Sequence, residues 1–295
     1  MVETCLVCSS VYKIDLETRG DSSQMKIFDG IEIAIPDVDR RQFLKGVGVA
    51  GVTMVAGGLL AGCGGNGTSA GSVTTGYTDT DILNFALNLE YLEAEFYAYA
   101  TTGAGLSSSL FTGTGTQGAT TGGVQISMDS ATRAIALEIA QDELHHVEFL
   151  RAALGASAVA KPAINLAALG SVTTQAGFLA LARAFEDVGV SAYGGAAPLI
   201  ASKAYLQAAA QILATEAYHA GNIRLQVAQQ SVATTAVDGS DILPPPSGSS
   251  YFAVDSTNSL SVIRTPRQVL NIVYGAVNAT SGGFFPNGMN GAITS

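Results

Sequence analysis

The sequence predicts an all-α chain organised around a four-helix bundle, and three observations carry that expectation. Four segments, each roughly 20–30 residues long, place apolar residues on one face at the helical period. No series of short alternating segments marks strands. Apolar residues make up 47% of the chain and charged ones only 13%, enough to fill a core and to exclude wholesale disorder. The net charge of −10 argues against a nucleic-acid binder, which normally carries a basic face. Three cysteines are too few for a disulfide-stapled scaffold.

The first helix is expected to start at Thr78 or Thr80, either of which would cap it with aspartate in the first turn, and to run to about Thr101. Residues 102–127, rich in Gly and Thr without periodicity, read as a long first inter-helix loop. A second helix follows from about Asp129 to Leu154 and stops at Gly155. The connector through Lys161-Pro162 leads to a third, about Thr173 to Tyr193, ended by Gly194-Gly195 with Pro198 beyond. The fourth, rich in Ala, Leu and Gln, spans about Ser202 to Ser231. The bundle thus occupies residues 78–232. Residues 233–295 form an irregular C-terminal extension, broken by Pro244-Pro245-Pro246. It carries one short helix after Thr265-Pro266 and a turn-rich end whose Phe284 and Phe285 are expected to pack back onto the bundle.

Within these helices the scarce ionisable residues follow a pattern. Two of the three histidines, His146 and His219, each follow a glutamate by three, Glu143 and Glu216. Residues three apart on a helix share a face, so one turn offers a carboxylate and an imidazole to the same point. The first and third helices each supply a glutamate with a tyrosine seven residues on: Glu90 with Tyr97, and Glu186 with Tyr193. The order Glu…Tyr, Glu-x-x-His, Glu…Tyr, Glu-x-x-His is an internal two-fold repeat. On a helical wheel Glu90 lies with Leu83, Leu87 and Ala94, Glu143 with Ala136, Ile139 and Val147, Glu186 with Leu179, Ala182 and Val190, and Glu216 with Ile212, Ala220 and Ile223. Four carboxylates in apolar stripes are prohibitive without compensating charge, which a pair of divalent or trivalent cations would supply. The same wheel turns His145, Glu95, Glu138 and Glu148 outward and makes the Asp142-x-x-His145 spacing coincidental. Glu93 it leaves as a polar channel or interface residue rather than a ligand. Tyr97 and Tyr193 need partners for their hydroxyls, and a ligating carboxylate is the natural one.

This set resembles the ferritin-like di-iron carboxylate proteins, in which two helices give one Glu each and two give Glu-x-x-His. The strings LNFALNLEYLEAEFY, IAQDELHHVEFLRAALG, ILATEAYHAGNIR and RTPRQVLNIVYG…GGFFPNG are similar to an exported branch of that superfamily related to plant desiccation-associated proteins, over roughly residues 78–290. The resemblance implies a ferritin-like four-helix bundle that binds two iron ions, with manganese possible. One metal would take Glu90 and His146 and the other Glu186 and His219, with Glu143 and Glu216 bridging. It assigns no catalytic residue beyond these ligands. Carboxylate and imidazole ligands suit iron or manganese, and no thiolate is available to the site. No C-x-x-C module follows the bundle, which speaks against a rubrerythrin-type peroxidase with its own electron relay. Two readings stay open. One is a redox site that oxidises Fe(II) or reduces O₂ or peroxide. The other is a non-catalytic stress or desiccation-protective surface protein with a structural or vestigial metal site. Oligomerisation is compatible with both.

Residues 39–63 read DRRQFLKGVGVAGVTMVAGGLLAGC. A basic patch, an uncharged apolar run and small residues form an export-signal pattern, too short and glycine-rich for a membrane span. Arg40-Arg41 in RRQFLK resembles the twin-arginine signal, whose pathway carries folded proteins. Leu60-Ala61-Gly62-Cys63 resembles a lipobox, which implies cleavage before Cys63 and a lipid on its thiol. On this reading 1–62 is a leader and 63–77 a flexible Gly/Ser/Thr tether. The protein is then periplasmic or at the cell surface, anchored to a membrane through Cys63. Met25 is the expected start, which puts Cys5 and Cys8 outside the protein; with no second pair, their C-x-x-C spacing cannot close a zinc site.

Overall fold

The computed structural model describes residues 76–295. Arg40, Arg41, Cys63, the expected leader and all but the end of the expected tether lie outside the described residues.

Four long helices form the all-α bundle: α1 (Asp79–Thr102), α2 (Ser130–Leu154), α3 (Gln175–Ala196) and α4 (Lys203–Gln229). Each begins on an oxygen-bearing side chain that accepts from a first-turn backbone N–H: Thr78, Asp129, Thr174 and Ser202. Thr78 settles the choice with Thr80, and Asp81 returns the bond to close a capping box. Gly103, at φ 80°, ends α1 in the left-handed region. The helices pair as two hairpins, α1 with α2 and α3 with α4, around one apolar core.

The end of α3 differs from expectation. The helix runs through Gly194 and Gly195 to Ala196. These glycines serve close packing instead: a Cβ on Gly195 would meet the Arg264 carbonyl oxygen at 1.9 Å, and one on Gly194 would meet Ile263 at 2.9 Å. The chain of the C-terminal extension lies directly against that helix face.

The extension and the first loop cover α1 and α3. A short helix, α5 (Pro266–Val273), opens on a Thr265 capping box with Pro266 in the first turn and packs on α3. Phe284 and Phe285 are buried as expected, Phe284 edge-on to Phe185 at 5.1 Å. Asn88 and Asn290 exchange backbone-directed hydrogen bonds of 2.9 and 3.1 Å, which fixes the chain end to α1. Arg183, Asp187 and Arg224 form a buried charge cluster with Asp241 from the extension. Over α1, the loop residue Thr120 pairs in a two-residue parallel ladder with Ile164 of the connector. Among the described residues no helix is long and apolar enough to cross a membrane.

Glu95 corrects the wheel. It is 1% exposed, because the loop after α1 folds over it. The Leu106 N–H donates to Glu95 at 3.3 Å, and the buried Lys161 ammonium lies 3.5 Å away. A loop without periodicity gave no sign that it would cover that face.

Candidate metal centre

Glu90, Glu143, His146, Glu186, Glu216 and His219 converge at mid-bundle, one or two from each long helix, and all six are buried. Their ligand atoms fall into two groups, Glu90–Glu143–His146–Glu216 and Glu143–Glu186–Glu216–His219, each within 4.8 Å of one another. Glu143 and Glu216 stand in both. Donors about 2.1 Å from a common ion lie up to about 4.2 Å apart, so both clusters have nearly the span of a coordination shell.

The individual contacts have the same character. His146 Nδ1 lies 3.2 Å from Glu90, 3.3 Å from Glu143 and 3.4 Å from Glu216. His219 Nδ1 lies 3.0 Å from Glu143 Oε1 and 3.4 Å from Glu186 Oε2. These last atoms, and both oxygens of Glu216, are nonetheless without a hydrogen bond. They lie close together yet are not paired by hydrogen bonds. Buried polar atoms without partners are costly, and a cation between them removes that cost. The donor set therefore fits a pair of metal ions.

The charges tell the same story. Burial raises the Glu143 carboxyl to about 7, helped by the Glu90 charge and opposed by both histidines. Burial and the neighbouring carboxylates push Glu216 and Glu93 well above the usual range. Burial also works against Glu90, yet the facing His146 holds it below the ordinary value. Burial alone would depress the imidazoles, but the carboxylates overcome it, raising His146 far above neutrality and His219 to about 12. Cations bound at this cluster would displace protons from it.

The tyrosines cross over. Tyr97, from α1, donates to Glu186 of α3, and Tyr193, from α3, donates to Glu90 of α1. Each glutamate is thus held by the tyrosine of the opposite helix. Burial and the facing carboxylates push both hydroxyls well above 10, so both keep the donated proton.

Asp142 does not pair with His145, and its partner lies on another helix. His145 is exposed, as the wheel requires, and so are Glu138 and Glu148. The Asp142 carboxylate instead reaches across to α4 and meets His219 Nε2 at 3.1 Å. A carboxylate on the outer nitrogen leaves Nδ1 free to face the carboxylates. At the equivalent place before Glu216 stands Thr215, whose hydroxyl donates to its own helix at Gln211 O. The two halves of the repeat therefore differ at this position.

Comparison with known proteins follows the same lines. The profile of the ferritin-like domain family matches residues 78–229, about half of the chain. A curated relative, the ferritin-like catalase Nec2 of Nesocodon mauritianus, is 25% identical over 268 residues, covering 73% of this chain and 84% of that protein.

Proposed function

The chain belongs to the ferritin-like domain family, and from that premise we propose that it is a binuclear iron or manganese protein that removes peroxide. The observation that carries this reading is the pair of overlapping ligand groups, several of whose atoms are buried without a hydrogen bond. In the proposed site Glu90 and His146 serve one ion, Glu186 and His219 the other, and Glu143 and Glu216 both. The catalase name of the relative favours hydrogen peroxide as substrate, with water and dioxygen as products. When bound, such ions supply paired one-electron redox steps, which together match the two electrons separating peroxide from dioxygen or from water.

The chain's own residues prepare the site. Tyr97 and Tyr193 fix Glu186 and Glu90 by donating to them, which leaves each carboxylate one orientation. Asp142 fixes the His219 ring. Ile139, Val147, Ala220 and Ile223 are buried on the helix faces that carry the ligands, and keep bulk water out.

The test uses the full chain, loaded with Fe(II) or Mn(II) and given hydrogen peroxide in an oxygen-electrode cell. Dioxygen is expected at about one molecule per two peroxides consumed. Metal uptake without dioxygen release contradicts the peroxide reading; Fe(II) oxidation in its place would make the protein a ferroxidase, and neither activity would favour the protective role.

We also propose that the protein is exported by the twin-arginine route and lipid-anchored, on the strength of Arg40-Arg41 and the Leu60–Cys63 string. Cys63→Ser should move it from the membrane fraction to the soluble one; an unchanged distribution contradicts the anchor.

A further inference from the structure

A groove of about 1050 Å³ lies between α1, α3, α5 and the C-terminal extension. Its walls include Leu92, Leu181, Phe185, Ile272 and Phe284. Glu93 and Gly189 also line it. Glu93 is only 6% exposed and has no hydrogen bond or ion pair among the described residues. Gly189 makes the connection inward. A Cβ there would stand 2.5 Å from Glu216 Oε2 and 3.3 Å from Glu93 Oε1. The missing side chain is what leaves room between the groove and a carboxylate shared by both ligand groups. A second cavity, about 40 Å³, is bounded by the same Glu93 and Gly189.

Hydrogen peroxide needs no such groove. The volume is slightly more than a drug-sized ligand fills, and the mainly apolar walls, interrupted by Arg183, Asp238 and Asn271, favour a ligand with an apolar body. The inner end offers the Glu93 carboxyl, which can exchange a hydrogen bond with a polar head. We propose that this groove is the access path to the metal centre and that it admits an organic hydroperoxide, apolar tail along the walls and hydroperoxy head at Glu93 and Gly189. The inference rests on the peroxide reading of the site and names a further substrate class for it. In the balanced reaction the O–O bond of ROOH breaks and its oxygens leave as ROH and water. The two electrons and two protons come from one H₂O₂, which leaves as O₂.

Cumene hydroperoxide is the probe, and cumyl alcohol its unreactive analogue. The metal-loaded full chain, given cumene hydroperoxide with hydrogen peroxide, should form cumyl alcohol. Cumyl alcohol should also bind the chain with or without metal, measured by calorimetry. Ala180→Trp and Ile272→Trp, two groove-wall substitutions away from the ligands, should each weaken that binding about tenfold with metal content unchanged. Oxygen release from hydrogen peroxide without cumyl alcohol formation overturns the substrate assignment and leaves the peroxide reading standing. Binding that both tryptophan variants leave unaltered places the ligand elsewhere and overturns the groove. Inactivity toward both peroxides overturns the reading beneath it, and the proposal with it.

Discussion

The bundle has two unlike layers. In α1, 16 of 24 residues are buried and in α3, 13 of 22, whereas α2 buries 7 of 25 and α4 7 of 27. The first pair is enclosed on both sides, by the core within and by the long loop and C-terminal extension without. The second pair turns one face to water. The centre draws on each layer differently. The covered helices give Glu90 and Glu186 with the two tyrosines that hold them, and the open helices give both histidines and both shared glutamates. On the covered side the two carboxylates are held by the crossed tyrosines. On the open side Asp142 holds the outer nitrogen of His219.

Substitutions on the two layers should therefore fail in different ways. The largest effect is expected at Glu143, which stands in both ligand groups. Glu143→Ala should reduce bound metal from about two per chain to near zero, while Glu186→Ala, in one group only, should leave about one. Equal losses from the two substitutions, read by elemental analysis, would remove the shared role of Glu143. Next comes the buried charge cluster of the covered layer. Asp187 accepts from the buried Arg224 at 2.6 Å and lies 3.4 Å from the buried Arg183. Asp187→Ala leaves Arg224 without its carboxylate partner, while Arg183 keeps Asp241, and should cost about 3 kcal/mol of stability in urea unfolding. A cost below about 1 kcal/mol would show that the buried Asp187–Arg224 pair does not tie α3 to α4.

On the open layer, Asp142→Ala should leave unfolding nearly unchanged yet weaken metal binding about 10–100-fold, at the His219 position alone. Uniform weakening of both positions would sink the asymmetry between the two halves of the repeat. The smallest effect belongs to Tyr218, 76% exposed on α4. Tyr218→Ser should shift stability by no more than about 0.5 kcal/mol. A larger loss would mean that this face is covered in solution, as in an oligomer.

The same division sets what the sequence made legible. The six converging residues were readable because each pair is local: three or seven positions on one helix fix a shared face before any tertiary contact forms. Phe284 and Phe285 were readable because two aromatics in turn-rich chain have nowhere else to go. What escaped notice lies between elements. Asp142 sits on the flank of α2 and acquires its partner only when α4 is alongside. Glu95 points away from the bundle axis and is buried by a loop whose Gly/Thr composition carries no periodic signal. Gly194 and Gly195 look like a helix stop and are a packing site, a distinction that depends on Arg264 seventy residues on. The Arg183–Asp187 spacing of four was a visible signal for the buried charge cluster, but its other half, Asp241, comes from the extension.

The central claim is that these helices hold a pair of metal ions on six named side chains. Elemental analysis of the full chain after anaerobic loading with Fe(II) or Mn(II) and removal of free metal tests it directly. About two ions per chain are expected, and less than about half an ion per chain would contradict the account.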